Sequence, residues 1–482
     1  MSNGIYNVED YTGSDYAKIT AAINAATSAG GGKVLLSNRT YSISQSIVLH
    51  SNIVFCGVGV ASSIVCSADV PVIRIDRNVN DSFFISICDM KMSYESMNTS
   101  NCFHVEADRP VHLKIYNVVF RGPGRQHSGV LTWNASTGNK TQMIAADANN
   151  ASFMTHIENC VFSSASIWLN DSDSRILNNY VWSKDQEIPN NNQYAIRLTN
   201  GAVNVSGNDI VAGDNAGVYL APTCDGIRIE NNYFDGSWDD VVTGWAIFLS
   251  SAKRVLVLGN YFNYMYSGGV LVSGSSEQIT ISKNTFRNIN RSGSTDSNYD
   301  IKIIAGGVRS IGHIVEGNQH YRDLSAGQNY ALSADNNVEV AIINNSLIDN
   351  IPNTGAYVKP AFYKWTDKYS IRENNRVTYY TLAQGTPPIE TRLYPFQFDE
   401  GEVAVQHSSS VQSTEVHFSS AFSSQNITPK VQDIHINFVG GSSTSAVAYS
   451  VWGVSATGFN IAFRPIGNST TDGVFSWRVT LQ

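Results

Sequence analysis

A six-residue motif recurs along the chain and limits what it can fold into more than any other feature. Ile229-Glu-Asn-Asn-Tyr-Phe234 is repeated as Val257-Leu-Gly-Asn-Tyr-Phe262 and Ile281-Ser-Lys-Asn-Thr-Phe286, with fainter copies starting at Ile157, Ile176, Val205, Val315, Ile342 and Ile371. Their fourth positions are Cys160, Asn179, Asn208, Asn232, Asn260, Asn284, Asn318, Asn345 and Asn374, at steps of 19 to 34 residues. A period in that range marks stacked supersecondary units.

Each copy sits in the same frame. A short apolar strand (Gly217–Leu220, Trp245–Leu249, Gly269–Val272) precedes a polar turn, and an alternating strand carrying the motif follows. Alternation marks strands with one buried face. With no helix between them, successive repeats must be flat coils stacked on one another, a parallel β-helix. The shared Asn then forms a ladder. Its amide accepts from one coil and donates to the next, at a tight bend that Asn tolerates through the left-handed conformation.

Composition sets the function classes. Only 15% of the 482 residues are charged and the net charge is −8, with no basic stripe to neutralise phosphates, so nucleic acid is not an expected partner. Met1-Ser-Asn-Gly-Ile-Tyr6 has neither the basic start nor the apolar core of a secretory signal, and no apolar run reaches membrane-spanning length. The six cysteines lack framework spacing and read as small core fillers. The ten histidines form no ligand-spaced pair, so neither a metal nor another cofactor is expected.

Residues 14–29 read as a helix. Ser14 is a candidate N-cap, Ile19, Ile23 and Ala26 share a face, and Gly30-Gly-Gly32 ends it. An open β-helix end exposes apolar interior and strand edges, and such a helix covers them. The run Asp15-Tyr-Ala-Lys-Ile-Thr-Ala-Ala-Ile-Asn-Ala-Ala-Thr-Ser-Ala-Gly-Gly-Gly-Lys-Val-Leu-Leu36, followed by Arg39-Thr-Tyr-Ser-Ile43, resembles the start of pectate-lyase-like β-helix proteins, in the variety found in bacteriophage tailspikes and capsule depolymerases. The chain departs from that pattern in lacking the paired Asp before the helix and the Pro-x-Gly before Thr-Tyr. It also has no head-binding domain in front, so a short spike or the trailing part of a longer one is expected. The resemblance covers about residues 10–380 and implies a right-handed, single-stranded parallel β-helix in a homotrimer.

After Asn374 the repeat stops, and Gln384-Gly-Thr-Pro-Pro-Ile389 breaks the pattern. Short alternating strands at Val403, Thr414, Ile434, Ala446, Gly458 and Phe475 suggest a small β-sandwich. Val416-His-Phe418, Pro429-Lys-Val431, Val454–Ile461 and Ser476-Trp477 resemble an H-type lectin domain. That resemblance implies a trimeric, sugar-binding module; a trimerisation foot without sugar binding is the other reading. The expected domains are 1–32 (N-terminal segment and capping helix), 33–383 (β-helix) and 384–482 (sandwich).

In a stacked coil, residues at equal offsets from the ladder line up about 4.8 Å apart. Six or seven residues past successive ladder positions lie Asp185, Asp214, Asp239 and Tyr266, with Glu187 and Asp240 alongside; Asp235 is a reserve. Acids about 5 or 10 Å apart bracket the retaining and inverting arrangements of glycosidases, and their proximity separates their pKa values. Trp168, Trp182, Tyr194, Tyr219, Trp238, Trp245, Tyr264 and Tyr266 concentrate on the same coils, where rings could stack on sugar faces. A lyase would need a base near the abstracted proton and a cation to neutralise a uronate, to which Arg197, Arg228, Lys253 and Arg254 could contribute. The turn acids Asp171, Asp173, Asp225 and Glu277 read as solvated.

The resemblance and these residues together predict an all-β phage tailspike. It would bind a capsular polysaccharide or lipopolysaccharide O-antigen and cut it internally by acid/base hydrolysis. One of Asp214 or Asp239 would be the proton donor. The spike would be assembled in the bacterial cytoplasm, join the phage tail or baseplate through its N-terminus and act outside the host cell. A polysaccharide lyase on the same fold and a non-catalytic receptor-binding spike or adhesin are the alternatives. A secreted plant-cell-wall enzyme is disfavoured by the missing signal and the lectin-like domain.

Overall fold

The computed structural model describes residues 4–76, 83–95, 103–122, 129–133, 152–183, 194–211, 215–236, 244–289, 299–322, 330–335, 337–349, 363–365, 370–373, 375–380, 389–394, 398–405, 412–417, 434–441, 447–452, 454–455, 458–465 and 473–480. The chain divides into two compact units, Met1–Ser370 with Val377–Thr391, and Ile371–Arg376 with Arg392–Gln482.

The first unit is a right-handed β-helix with two parallel sheets of 28 and 12 strands. Each regular coil carries three strands. In one coil these are Arg228–Glu230, Tyr233–Asp235 and Trp245–Ser250, which we call its first, second and third faces. Register between coils is strict: Ile229 pairs with Val257, Phe234 with Phe262 and Ile247 with Val270. The motif is therefore two three-residue strands rather than one alternating strand. The hinge is its third residue, which has a positive φ in every described copy: Asn159, Asn178, Gly207, Asn231, Gly259, Lys283, Gly317 and Asn344. The left-handed residue is thus the one before the ladder Asn.

The ladder itself is as expected. Asn179, Asn208, Asn232, Asn260 and Asn284 each donate through Nδ2 to Oδ1 of the next coil's Asn at 2.9–3.0 Å, and Asn318 does the same to Asn345. The same Oδ1 also accepts the backbone N–H of the preceding Asn, as when Asn232 N donates to Asn260 at 3.0 Å. Cys160 ends the ladder: its N–H donates to Asn179 Oδ1 at 2.9 Å. On the two coils before it, Met90 and Val118 occupy the equivalent position and are fully buried. Asn374 lies outside the described residues.

Inside the corner the sixth motif residue forms a second column. Phe234 stacks on Phe262 at 5.0 Å, Phe262 on Phe286 at 4.6 Å and Phe286 on His320 at 5.0 Å. His320 is buried, its Nδ1 lying 2.6 Å from Asp300 Oδ2. The helix Asp15–Ser28 covers the N-terminal end with Ile19, Ala22, Ile23 and Ala26 buried, and Ser14 Oγ accepts from Ala17 N. The described cysteines Cys56, Cys66, Cys88, Cys160 and Cys224 are buried and unbridged.

The second unit contains two three-stranded antiparallel sheets. Gly473–Thr480 lies between Phe398–Val405 and Ile434–Gly441, and Gly458–Pro465 lies between Gln412–His417 and Val447–Trp452. These match the six strands expected from the alternating pattern.

Candidate functional site

Inward residues of the third face fill the core, so every second residue faces out. One outward column runs in register through Leu131, Trp168, Arg197, Tyr219, Phe248, Leu271 and Lys302 on successive coils. At the leading edge of the same strands Tyr194, Ala216, Trp245, Gly268 and Tyr299 line up. The result is an aromatic wall. Tyr194 stacks on Tyr219 at 4.5 Å, Tyr219 meets Phe248 edge-on at 5.3 Å, and Phe103 packs on Trp168 at 5.4 Å. Gly268 makes room for it: a Cβ there would strike the Trp245 ring, which lies across the next coil.

Arg197 is embedded in the wall. Its guanidinium lies 4.9 Å from the Trp168 ring centre, 5.7 Å from that of Tyr219 and 5.8 Å from that of Tyr194. Desolvation holds its pKa below the usual guanidinium range. Burial also raises the Tyr194 phenol, against a hydrogen bond with Asn215.

The second face carries carboxylates. Asp209 and Asp235 both point outward on adjacent coils, with Asp209 paired to Tyr233 and Val211 to Asp235. That register sets their Cα atoms about 8 Å apart, one coil spacing by two residues. Tyr180 precedes Asp209 in the column, and Trp182 precedes Val211. Burial raises the Asp209 pKa, and the charge of Asp235 raises it further. Two carboxylates whose pKa values are pushed apart are the pairing that acid/base work needs. Tyr233 and Tyr261 stack at 5.6 Å outside the ladder, with Asn263 Nδ2 donating to the Tyr233 hydroxyl at 2.9 Å.

Asp185, Glu187, Asp214, Trp238, Asp239 and Asp240 lie outside the described residues. Of the other expected residues, Tyr194, Arg197, Tyr219 and Trp245 come together on the wall. Trp182 is exposed on the second face, Tyr264 sits at the corner with φ 52°, and Tyr266 packs partly against the core. Trp168, expected among these aromatics, packs behind Arg197 and is buried, whereas Asp209 and Phe248 belong with these groups although the sequence does not single them out.

Among the turn acids, Asp225 pairs with Arg254 and Glu277 with Lys253. Asp171 is not solvated; it is fully buried and accepts from Ser174 Oγ at 3.2 Å. Among the described residues no cluster of three or more His, Cys, Asp or Glu could hold a metal ion, and no helix is long and apolar enough to cross a membrane.

Residues 142–319 match the family model described as right handed beta helix region. No curated protein sequence matches the chain. Solved structures do. The A-module of the mannuronan C-5 epimerase AlgE6 from Azotobacter vinelandii superposes with a TM-score of 0.55 at 13% identity, over 77% of this chain and 99% of that one. The tailspike of E. coli bacteriophage HK620, solved in complex with a hexasaccharide, gives 0.55 at 11% identity over 98% and 90%. The tailspike of Pseudomonas phage phi297 gives 0.54 at 11% identity over 100% of both chains. At these identities the likeness establishes the architecture alone, and that architecture is the right-handed parallel β-helix.

Proposed function

We propose that the chain is a phage tailspike, working as a homotrimer, that binds a bacterial capsule or O-antigen polysaccharide and cuts it internally by glycoside hydrolysis. The observation that carries this reading is the wall of Trp168, Arg197, Tyr219 and Phe248 spanning consecutive coils on the third face, with the outward pair Asp209 and Asp235 on the second face of the two coils that carry Tyr219 and Phe248. The part-exposed rings of Tyr219 and Phe248, in register on adjacent coils, offer a polymer platforms for its apolar sugar faces, while buried Trp168 packs behind Arg197. The pair supplies the chemistry: Asp209, its pKa raised, protonates the leaving oxygen, and Asp235 activates water or attacks the anomeric carbon. Asp214 and Asp239, in the segments that follow the same two strands, are the second assignment. Similarity in fold to tailspikes and to a polysaccharide epimerase supports a saccharide polymer as partner. The C-terminal unit is proposed to trimerise and to bind sugar.

Single Asn replacements test the assignment. Asp209→Asn and Asp235→Asn are each expected to lower the depolymerisation rate by at least about 100-fold while leaving polysaccharide binding within a few-fold, because general acid/base groups contribute about 10²–10⁴. Wild-type rates in both, with loss in Asp214→Asn and Asp239→Asn, would transfer the chemistry to the corner segments.

A further inference from the structure

Several other arginines of the β-helix meet carboxylates. Arg39 reaches Glu9 and Asp15, Arg228 reaches Glu230, Arg254 reaches Asp225 and Arg309 reaches Glu339. Arg197 differs. Its Nε is buried without a hydrogen-bond partner, and no carboxylate of the described residues lies within ion-pair distance. Three aromatic rings surround it instead. Withdrawing a cation from water without a counter-charge is costly, and cation–π contact with rings offsets only part of that. The planar guanidinium fork is shaped to take a carboxylate through paired hydrogen bonds, and low local dielectric strengthens them.

Position supports a ligand as the missing partner. Arg197 lies in the outward column, between Trp168 on one coil and Tyr219 on the next, where a stacked sugar would place its ring substituents. Four coils further along the same column, about 19 Å away, Lys302 lies over the Tyr299 ring at 5.2 Å. The column thus carries cations separated by aromatic platforms.

We propose that Arg197 is the binding subsite for the carboxylate of an acidic sugar, so that the polymer recognised is anionic although the protein itself carries net negative charge. This rests on the polysaccharide reading above and narrows it to uronate- or pyruvate-bearing chains.

The test uses the full-length protein and matched polysaccharides. A panel of uronate-containing bacterial capsules, the same preparations reduced at their carboxyls, phosphate-bearing capsules and neutral O-antigens is screened for binding and shortening. The expected result is binding to a uronate polymer that falls at least about tenfold on carboxyl reduction. Arg197→Gln should lose a similar factor on the acidic form and almost nothing on the reduced form. Arg197→Lys should recover part of the affinity, with increased salt sensitivity, which a purely structural clamp would not show. Thermal unfolding of both variants confirms that they remain folded. Equal affinity for acidic and reduced polymers overturns the inference. So does binding only to neutral or phosphate-bearing chains, or an Arg197→Gln protein that binds as wild type. In those cases the polysaccharide reading survives; a protein that binds none of the panel overturns both.

Discussion

At the scale of single residues, the hinge before each ladder Asn shows how local chemistry builds the corner. Seven of the eight described hinges are Asn or Gly, which enter the left-handed region at little cost; the eighth is Lys283, with φ 55°. Lys283→Asn is therefore expected to raise the unfolding free energy by up to about 1 kcal/mol, measured by denaturant titration; unchanged or lower stability would contradict this. The hinge was legible in the sequence, since Asn or Gly in the third motif position is a left-handed signature, but the continuous alternation masked it and one strand was expected where two occur. Asp209 was missed for a similar reason. It is the fifth residue of Val205-Ser-Gly-Asn-Asp-Ile210, one past the ladder Asn, whereas the offset of six or seven residues past the ladder points elsewhere; the fifth and seventh positions face outward beside Tyr180 and Tyr233. Phe248 was hidden inside Trp245-Ala-Ile-Phe-Leu249, an apolar run that looks wholly buried until the register shows which residues face out.

At the scale of the element, the corner is held by two parallel columns, amides and aromatic rings. Asn260 Oδ1 accepts both the N–H and the Nδ2 of Asn232, while its own Nδ2 donates to Asn284 Oδ1 and to Ile229 O. Asn260→Ala leaves the backbone N–H of Asn232 and one of its two Nδ2 hydrogens buried without an acceptor, while the other Nδ2 hydrogen keeps Val205 O. Each orphaned group costs roughly 1–3 kcal/mol, so a loss of several kcal/mol is expected in chemical denaturation. A loss under about 1 kcal/mol would show that the ladder is incidental to stability. The ladder was read correctly because the amide must lie at one fixed offset in every coil. The coil segments between the second and third faces have no such constraint: their lengths vary from coil to coil, so counting residues past the ladder could align Asp185, Asp214 and Asp239 in sequence without fixing where their side chains lie.

At the scale of the whole molecule, buried titratable groups set the response to acid. His104 and His313 are buried, and desolvation lowers both imidazoles to about 4. Each accepts a backbone N–H at Nδ1, from Gly129 and Ile279 respectively, so the neutral ring is the one the fold uses. Between about 6.5 and 4 the unfolded chain binds more protons at these sites, so stability falls as pH drops through that window. Further acidification protonates Glu9, whose pKa is lowered to about 2 by Lys18, Arg39 and Tyr41 at the helix cap; its contribution is present above the unfolded carboxylate value and is lost as pH falls toward 2. Denaturation midpoints measured from about pH 7 to about pH 4.5 should decline steadily, and a flat profile would contradict the burial of the two rings.

The central claim, that an aromatic wall and a carboxylate pair on the same coils make this β-helix a depolymerase, is tested most directly by product analysis. Purified protein is incubated with capsules and O-antigens from a panel of bacteria, and chain length, new reducing ends and ultraviolet absorbance are followed together. The expected result is rapid shortening of one polymer to a narrow set of oligosaccharides, with one reducing end per cut and no unsaturated product. Binding without shortening would make the protein an adhesin, and unsaturated ends would make it a lyase; either result contradicts the hydrolase reading.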